Sequence, residues 1–214
     1  MEAPPNYGPA YTAAFRKVYR ELAREHDVVF IPFYLQGVAG DPLIGCFGNL
    51  NATKRLPQLL EAVARLRSDD RGVLLVLAGS VAPGLELAER AARLGLEEGK
   101  DLLLLGRVAE DRLWDLVLAS DVCVTLRQPT MGETSGMAIR ALSAGKPLVV
   151  SDSGWFSELP DGAAAKVPAD AWEVDTLTAI LGGLCADRSL RESLGRAALE
   201  YAALADDAGG LLNE

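Results

Sequence analysis

The sequence predicts a doubly wound α/β domain, a parallel sheet covered by helices on both faces. Two observations carry that prediction. Short stretches of unbroken apolar character recur from Leu43 onward, and strands buried on both faces read that way, whereas half-exposed strands alternate. Between them lie segments with helical period, the clearest placing Leu56, Leu59, Leu60, Val63 and Leu66 on one face. Strands that take turns with helices form parallel sheets. At 214 residues, half of them hydrophobic, the chain suits one or two such domains.

In chain order, strands are expected at 43–47, 73–78, 101–105, 122–126 and 148–150. Helices are expected over the Leu56–Leu66 face and at about 84–94, 110–119, 136–144, 171–186 and 188–203. Residues 1–42 break this rhythm. They hold an amphipathic helix with Tyr11, Phe15, Val18, Tyr19 and Leu22 on one face, then a strand at 28–33. The turn-rich "GVAGDP" (37–42) follows and marks a boundary. The division is therefore 1–42 and 43–214, the first segment either extending the sheet edge or loosely attached.

A net charge of −9 argues against nucleic acid as a partner. The sequence has neither a charged-then-apolar leader nor an apolar run near the ~18 residues of a membrane span, so a cytoplasmic location without transmembrane segment is expected. Cys46, Cys123 and Cys185 are odd in number and widely spaced, which suits buried thiols better than a disulfide or metal framework. His26 is the sole histidine and hence the one candidate for a histidine base.

Ligands of open parallel sheets bind at the carboxyl ends of the strands. That edge reads Gly48, Asn49 and on to Lys54 after the first strand, Gly79-Ser80 after the second and Gly106-Arg107 after the third. Arg127 to Glu133 follow the fourth, and Ser151-Asp152 end the fifth. An acidic chain thus places Lys54, Arg107 and Arg127 on one rim. Lys54 and Arg55 are expected to open a helix, where the macrodipole disfavours cations. Either Lys54 snorkels to solvent or it is the countercharge of a phosphate at that helix start. A Gly-x-Gly-x-x-Gly after the first strand and a Gly-Lys-Ser/Thr loop are both missing, so nicotinamide cofactors and ATP hydrolysis are not supported.

The stretch "MGETSGMAIR" (131–140) runs from loop into helix. Thr134 or Ser135 can cap that helix, and Glu133 is favourable near its start. Capping leaves the two glycines unexplained; they permit close backbone approach. The amides of Thr134, Ser135 and Gly136 would then face an anion. With Lys54 this makes two anion-binding termini on one rim, suited to a sugar nucleotide or another diphosphate.

"GCFGNLNATKRLPQLLEAVARLR", "LLVLAGS", "LLGRV", "LASDVCVTLRQPTMGETSGMAIRALSAGKPLVVSDSGWFSELP" and "AAAKVP" together resemble the carboxyl-terminal, donor-binding domain of retaining GT-B glycosyltransferases of family 4. The resemblance covers about residues 43–205. It implies a Rossmann-like half of a GT-B fold that binds a nucleotide-diphosphate sugar, with no cofactor and no catalytic metal. Lys54 matches the lysine that grips the diphosphate, with Gly48 in the same loop. Asn49 stands where many members have an arginine, which shifts phosphate affinity toward Lys54 or Arg107. Glu133 matches the first glutamate of the paired-glutamate motif, which lies against the donor sugar, and is the implied catalytic residue. Thr134, Ser135 and Gly136 match the loop whose amides meet the diphosphate. Arg140 stands where a second glutamate would hold the ribose. It either alters that contact or forms an ion pair, with Glu158 as the expected partner.

"PPNYGPAYTAAFRKVYRELAREHDVVFIPFYLQGVAGDP" resembles a late segment of the SGNH/GDSL esterases, of the arylesterase and lysophospholipase type. Their nucleophilic serine lies upstream of this segment and their Asp/His pair downstream, and neither part is present. His26 matches no catalytic position and reads as a surface residue. The expected function is the donor-binding half of a glycosyltransferase, binding a nucleotide sugar and transferring little alone. The alternatives are a non-catalytic fusion module and the remnant of a serine esterase. A missing amino-terminal domain would leave a face that either self-associates or is shielded by the helix at 9–25.

Overall fold

Leu43–Phe47, β1, is buried at every position and lies inside the sheet, paired on both sides. The computed structural model describes residues 42–69 and 72–207; the helix at 9–25 and the strand at 28–33 lie outside them. After β1 come α1 (Leu56–Ser68), β2 (Leu74–Ala78), α2 (Leu87–Arg93), β3 (Leu102–Gly106) and α3 (Glu110–Ala119). Then follow β4 (Val122–Thr125), α4 (Gly136–Ser143), β5 (Leu148–Ser151), α5 (Trp155–Glu158), β6 (Ala165–Val167), α6 (Glu173–Ala186) and α7 (Arg188–Asp207).

All pairings are parallel, and the strand order is β3-β2-β1-β4-β5-β6. Within the described residues the chain winds outward from β1 to β3, then returns to β4 and winds the other way. Connections leaving β1 and β4 therefore diverge and open a crevice between their carboxyl ends. Helices cover both faces, α1 packing on α6 and α4 on α7. The expected fold class is the observed one.

The apolar face of α1 is buried as its period requires, Leu56, Leu59, Leu60, Val63 and Leu66 all at the core. Each such leucine contributes about 2 kcal/mol relative to exposure. Pro57 sits in the first turn, where its missing N–H costs nothing. Glu110 and Asp111 begin α3, whose positive end they complement.

Several boundaries differ from the expected ones. β3 starts one residue late because Asp101 is buried and turned to other work. Its carboxylate pairs with Arg67 at 2.8 Å and accepts the Glu97 N–H at 3.0 Å. The helix expected at about 84–94 is shorter, since Gly84 (φ +82°) and Glu86 (φ +45°) hold left-handed conformations before it. A sixth strand, β6, was not anticipated. It has three residues, of which Val167 alone is buried, too few for a periodic signal. Cys46 and Cys123 are buried in β1 and β4, and with Cys185 form no disulfide. Burial pushes the Cys46 thiol up and the Cys123 thiol up to about 12. Among the described residues no helix is long and apolar enough to cross a membrane.

Candidate functional site

The carboxyl ends of β1, β2 and β3 are stitched by backbone hydrogen bonds. Gly48 N–H donates to Ala78 O at 2.9 Å, Leu50 N–H to Ser80 O at 2.8 Å and Gly79 N–H to Gly106 O at 2.7 Å. Gly79 is required there: a Cβ at that position would lie 1.6 Å from the Gly48 carbonyl oxygen. A Cβ on Gly48 would in turn meet Met137 Cγ at 3.2 Å and Lys54 Nζ at 3.6 Å. Gly48 therefore lies between the first turn of α4 and the Lys54 ammonium.

Lys54 does not open an α-helix. It ends a single 3-10 turn, Ala52–Lys54, whose start is capped by Asn51. Arg55, left-handed at φ +53°, then leads into α1. Nor does Lys54 snorkel: it is 4% exposed, and its Nζ donates to Phe47 O at 2.7 Å. Burial lowers its pKa, with Cys46 opposing and the like charge of Arg127 adding to the shift. Arg55 points elsewhere, its Nε donating to both oxygens of buried Glu173 at 3.0 Å each.

The loop after β4 is held from two sides. Gln128 N–H donates to Thr53 O at 2.7 Å, which ties this loop to the Lys54 turn. Arg127 N–H donates to Ser151 Oγ at 2.9 Å, and Ser153 Oγ–H donates to Arg127 O at 3.1 Å. The Glu133 carboxylate folds back on the same loop. It accepts from the Arg127 guanidinium, from Met131 N–H at 2.8 Å and from Thr130 Oγ at 3.2 Å. Its own backbone N–H first, then Arg127 and Met131, lower its pKa to about 2. Glu133 is thus an ionised acceptor at any ordinary pH and cannot serve as a proton donor. The Nε of Arg127 is buried without a hydrogen-bond partner among the described residues.

Ser135, not Thr134, caps α4: its Oγ accepts from Ala138 N–H at 3.3 Å. Thr134 is exposed. Among the described residues no acceptor takes the backbone N–H groups of Thr134, Ser135 or Gly136, so they are available at the positive end of the helix. Arg140 pairs with Glu110 of α3, not with Glu158. One helical turn beyond Gly136, its side chain leans back toward the start of α4, and a Cβ on Gly136 would stand 3.6 Å from Arg140 Nη1. Glu110 opens α3 and is the carboxylate met there.

The structure therefore brings Gly48, Lys54, Glu133 and the 134–136 amides to one crevice, with Arg140 on its α4 flank. Asn49 and Arg107 are exposed. Arg107 follows β3, two strands from β1, about 10 Å away laterally at the usual strand spacing. Arg127 is the residue that sequence reasoning left as one rim cation among others. The available signal was its place two residues after the end of β4 and six residues before Glu133. Among the described residues no group of three or more His, Cys, Asp or Glu is placed to hold a metal ion.

Comparison with known proteins bears on the family and the fold. The model of the family "Glycosyl transferases group 1" matches residues 33–201, starting upstream of β1. The Anabaena Alr3699/HepE structure in complex with UDP and glucose superposes with a TM-score of 0.67 and 22% identity, over 95% of this chain and 49% of that one. The C-terminal domain of a glycosyl transferase group 1 protein (LpcC) from Francisella tularensis gives 0.66 and 20% identity, over 80% of this chain and 88% of the domain. Esterase TesA of Pseudomonas aeruginosa is 39% identical over 64 residues, which make 29% of this chain and 32% of the esterase. The match thus spans about half the length of the Alr3699/HepE chain and about a third of the esterase. With the family model matching well over half of its residues, and with the fold of one half of a GT-B enzyme, this chain belongs to the glycosyl transferases group 1.

Proposed function

We propose that this chain is the donor-binding half of a family 4 enzyme that transfers a sugar from a nucleotide-diphosphate sugar with retention of configuration. One observation carries the reading. The buried Lys54 ammonium and the start of α4, with its free N–H groups, flank a single glycine, Gly48, at the crevice between β1 and β4. A cation and an unpaired helix terminus facing one gap suit a diphosphate. That HepE binds UDP and UDP-glucose with the same fold supports a sugar nucleotide as the ligand.

In this reading Lys54 and the amides of Thr134, Ser135 and Gly136 stabilise the charge that builds on the departing diphosphate. Glu133, permanently ionised, orients the sugar and stabilises positive charge at its anomeric carbon. No divalent metal is needed, because protein cations and amides neutralise the diphosphate. Alone, the chain binds donor and does not transfer it, acceptor contacts belonging to an amino-terminal half. That arrangement is cytoplasmic, and the face meeting the other half self-associates when it is bare.

A thermal-shift panel with UDP, GDP, ADP and CDP, each with and without EDTA, tests the reading. A ligand of ~100 μM affinity at ~10 mM stabilises the chain by about 2.7 kcal/mol. One nucleotide should raise the melting temperature, EDTA should not matter, and Lys54→Ala should abolish the rise. No response to any of the four would overturn it.

A second reading is a folded module without turnover. Joining the chain to a complete amino-terminal glycosyltransferase domain separates the two: transfer excludes the module, and its absence with donor still bound supports it. A third and weakest reading, the remnant of a serine esterase, rests on the partial esterase match and is tested by p-nitrophenyl acetate hydrolysis with the purified chain.

A further inference from the structure

We infer that Arg127 is an exchange residue of the donor site: it holds Glu133 folded back while the site is empty, and trades that carboxylate for a phosphate oxygen when a diphosphate arrives, releasing Glu133 toward the sugar. The inference rests on the donor-site reading above and adds a residue and a coupling to it.

Four observations carry it. The backbone of Arg127 is fixed by Ser151 and Ser153 through hydrogen bonds of 2.9 and 3.1 Å, so only its side chain is free to change partners. Its guanidinium donates to Glu133 through Nη1 alone, while Nε is buried without a partner. An arginine offers five N–H donors in a fixed fork, and this one leaves its buried Nε–H unused. It is also close enough to Lys54 for their charges to repel. Arg127 has the Glu133 carboxylate as its partner while Lys54 has the neutral Phe47 carbonyl, so the net charge of the three groups stays positive beside the free N–H groups at the start of α4. An arriving dianion relieves that repulsion and completes the fork.

Glu133 gives the reciprocal argument. Its carboxylate is occupied by Arg127, Met131 N–H and Thr130 Oγ on its own loop. An acceptor saturated in this way has little left for a sugar hydroxyl. Loss of its strongest partner, the charged one, is the step that frees it. A diphosphate and Glu133 thus compete for Arg127, and the internal competitor lowers the apparent affinity of the empty site.

Competition makes a prediction that simple charge effects do not. Titrations of inorganic pyrophosphate and of UDP, GDP, ADP and CDP into the wild type, Arg127→Gln, Glu133→Gln and the double variant give a double-mutant cycle. Glu133→Gln should tighten pyrophosphate about five- to tenfold, and Arg127→Gln should weaken it about tenfold. In the Arg127→Gln background the gain from Glu133→Gln should vanish. A gain of equal size in both backgrounds would reduce Glu133 to bulk repulsion and overturn the exchange, as would no gain in either.

The donor-site reading fails differently: no probe binds the wild type, or binding survives Lys54→Ala. Should Arg127→Gln not fold, the wild type still decides. The Nε–H resonance of Arg127 should move on pyrophosphate addition and the carboxyl carbon of Glu133 should shift with it. A diphosphate that binds and moves neither signal rules the exchange out.

Discussion

The Lys54 ammonium donates to the Phe47 carbonyl at 2.7 Å, from a turn that bends back beneath the end of β1. A nearly buried cation with one neutral acceptor is poorly compensated, which is why burial lowers its pKa. Holding it there costs stability, and the cost is an argument for a use.

Lys54→Met separates use from structure. The apolar stem is retained and the charge removed, leaving Phe47 O without its donor. The two effects oppose, so stability should change by no more than about 1 kcal/mol in urea denaturation at pH 7, while diphosphate binding is lost. The pH dependence has a definite sign. A lysine with lowered folded pKa takes up fewer protons folded than unfolded between that pKa and its ordinary 10.5, so the native state gains stability as pH rises through that window. The stability of wild type relative to Lys54→Met should therefore rise as pH increases toward 10.5. A flat difference would place Lys54 in solvent contact.

Glu133 titrates in the opposite sense. Its folded pKa is lowered to about 2 from 4.5, so its contribution to stability is complete above 4.5 and lost as pH falls through about 2. Melting temperatures of wild type and Glu133→Gln should differ by a constant amount above pH 5 and converge toward pH 2. Since the carboxylate is ionised throughout, pyrophosphate binding should show no inflection from Glu133 between pH 5 and 9. A stability difference that stays flat from pH 5 down to pH 2 would mean that the loop hydrogen bonds do not form in solution.

Much of this fold was legible because its strands are doubly buried and its helices periodic: β1 and α3 lie where the pattern puts them. What escaped was short or tertiary. β6 takes its place from pairing with β5, which three residues cannot announce. The site was legible to the extent that it is local. "MGETSG" names a helix start with free amides from its own composition. The partner of Arg140 was not legible, since Glu110 and Glu158 are equally acidic in a sequence and only the placement of α3 chooses between them. The burial of Lys54 was likewise hidden, because nothing local separates a 3-10 turn from the first turn of a helix. Arg127 was seen but not weighted, since its meaning comes from Lys54 and Glu133 meeting it in space.

Arg55 and Glu173 tie the start of α1 to the start of α6. Glu173 is almost wholly buried and Arg55 about a quarter exposed, so removing the arginine strands a carboxylate. Arg55→Ala should cost about 2–3 kcal/mol in urea denaturation, at or below the range for buried pairs because solvent reaches one partner. The double variant Arg55→Met with Glu173→Met should cost clearly less than the sum of the single changes. Additive losses would show that each residue acts through separate contacts.

Gly79 is the position where local sequence and site geometry meet most tightly. Its φ of +152° lies where side chains are rarely tolerated, and a Cβ would stand 1.6 Å from the Gly48 carbonyl oxygen. Backbone, not a flexible side chain, is the obstacle. Gly79→Ala must therefore push the Gly48 peptide away from β2, breaking its 2.9 Å bond to Ala78 O and displacing the glycine that separates Lys54 from α4. The expected loss is about 3 kcal/mol or more, from strain together with a broken buried hydrogen bond. Gly95→Ala is the control: its φ of +77° is also left-handed, and nothing stands within 4 Å of its Cβ. It should cost about 1 kcal/mol from the conformation alone, leaving diphosphate binding intact. If the two variants melt together and bind alike, the close approach of the β1 and β2 loops is not a feature of the folded chain, and the crevice it shapes has to be drawn again.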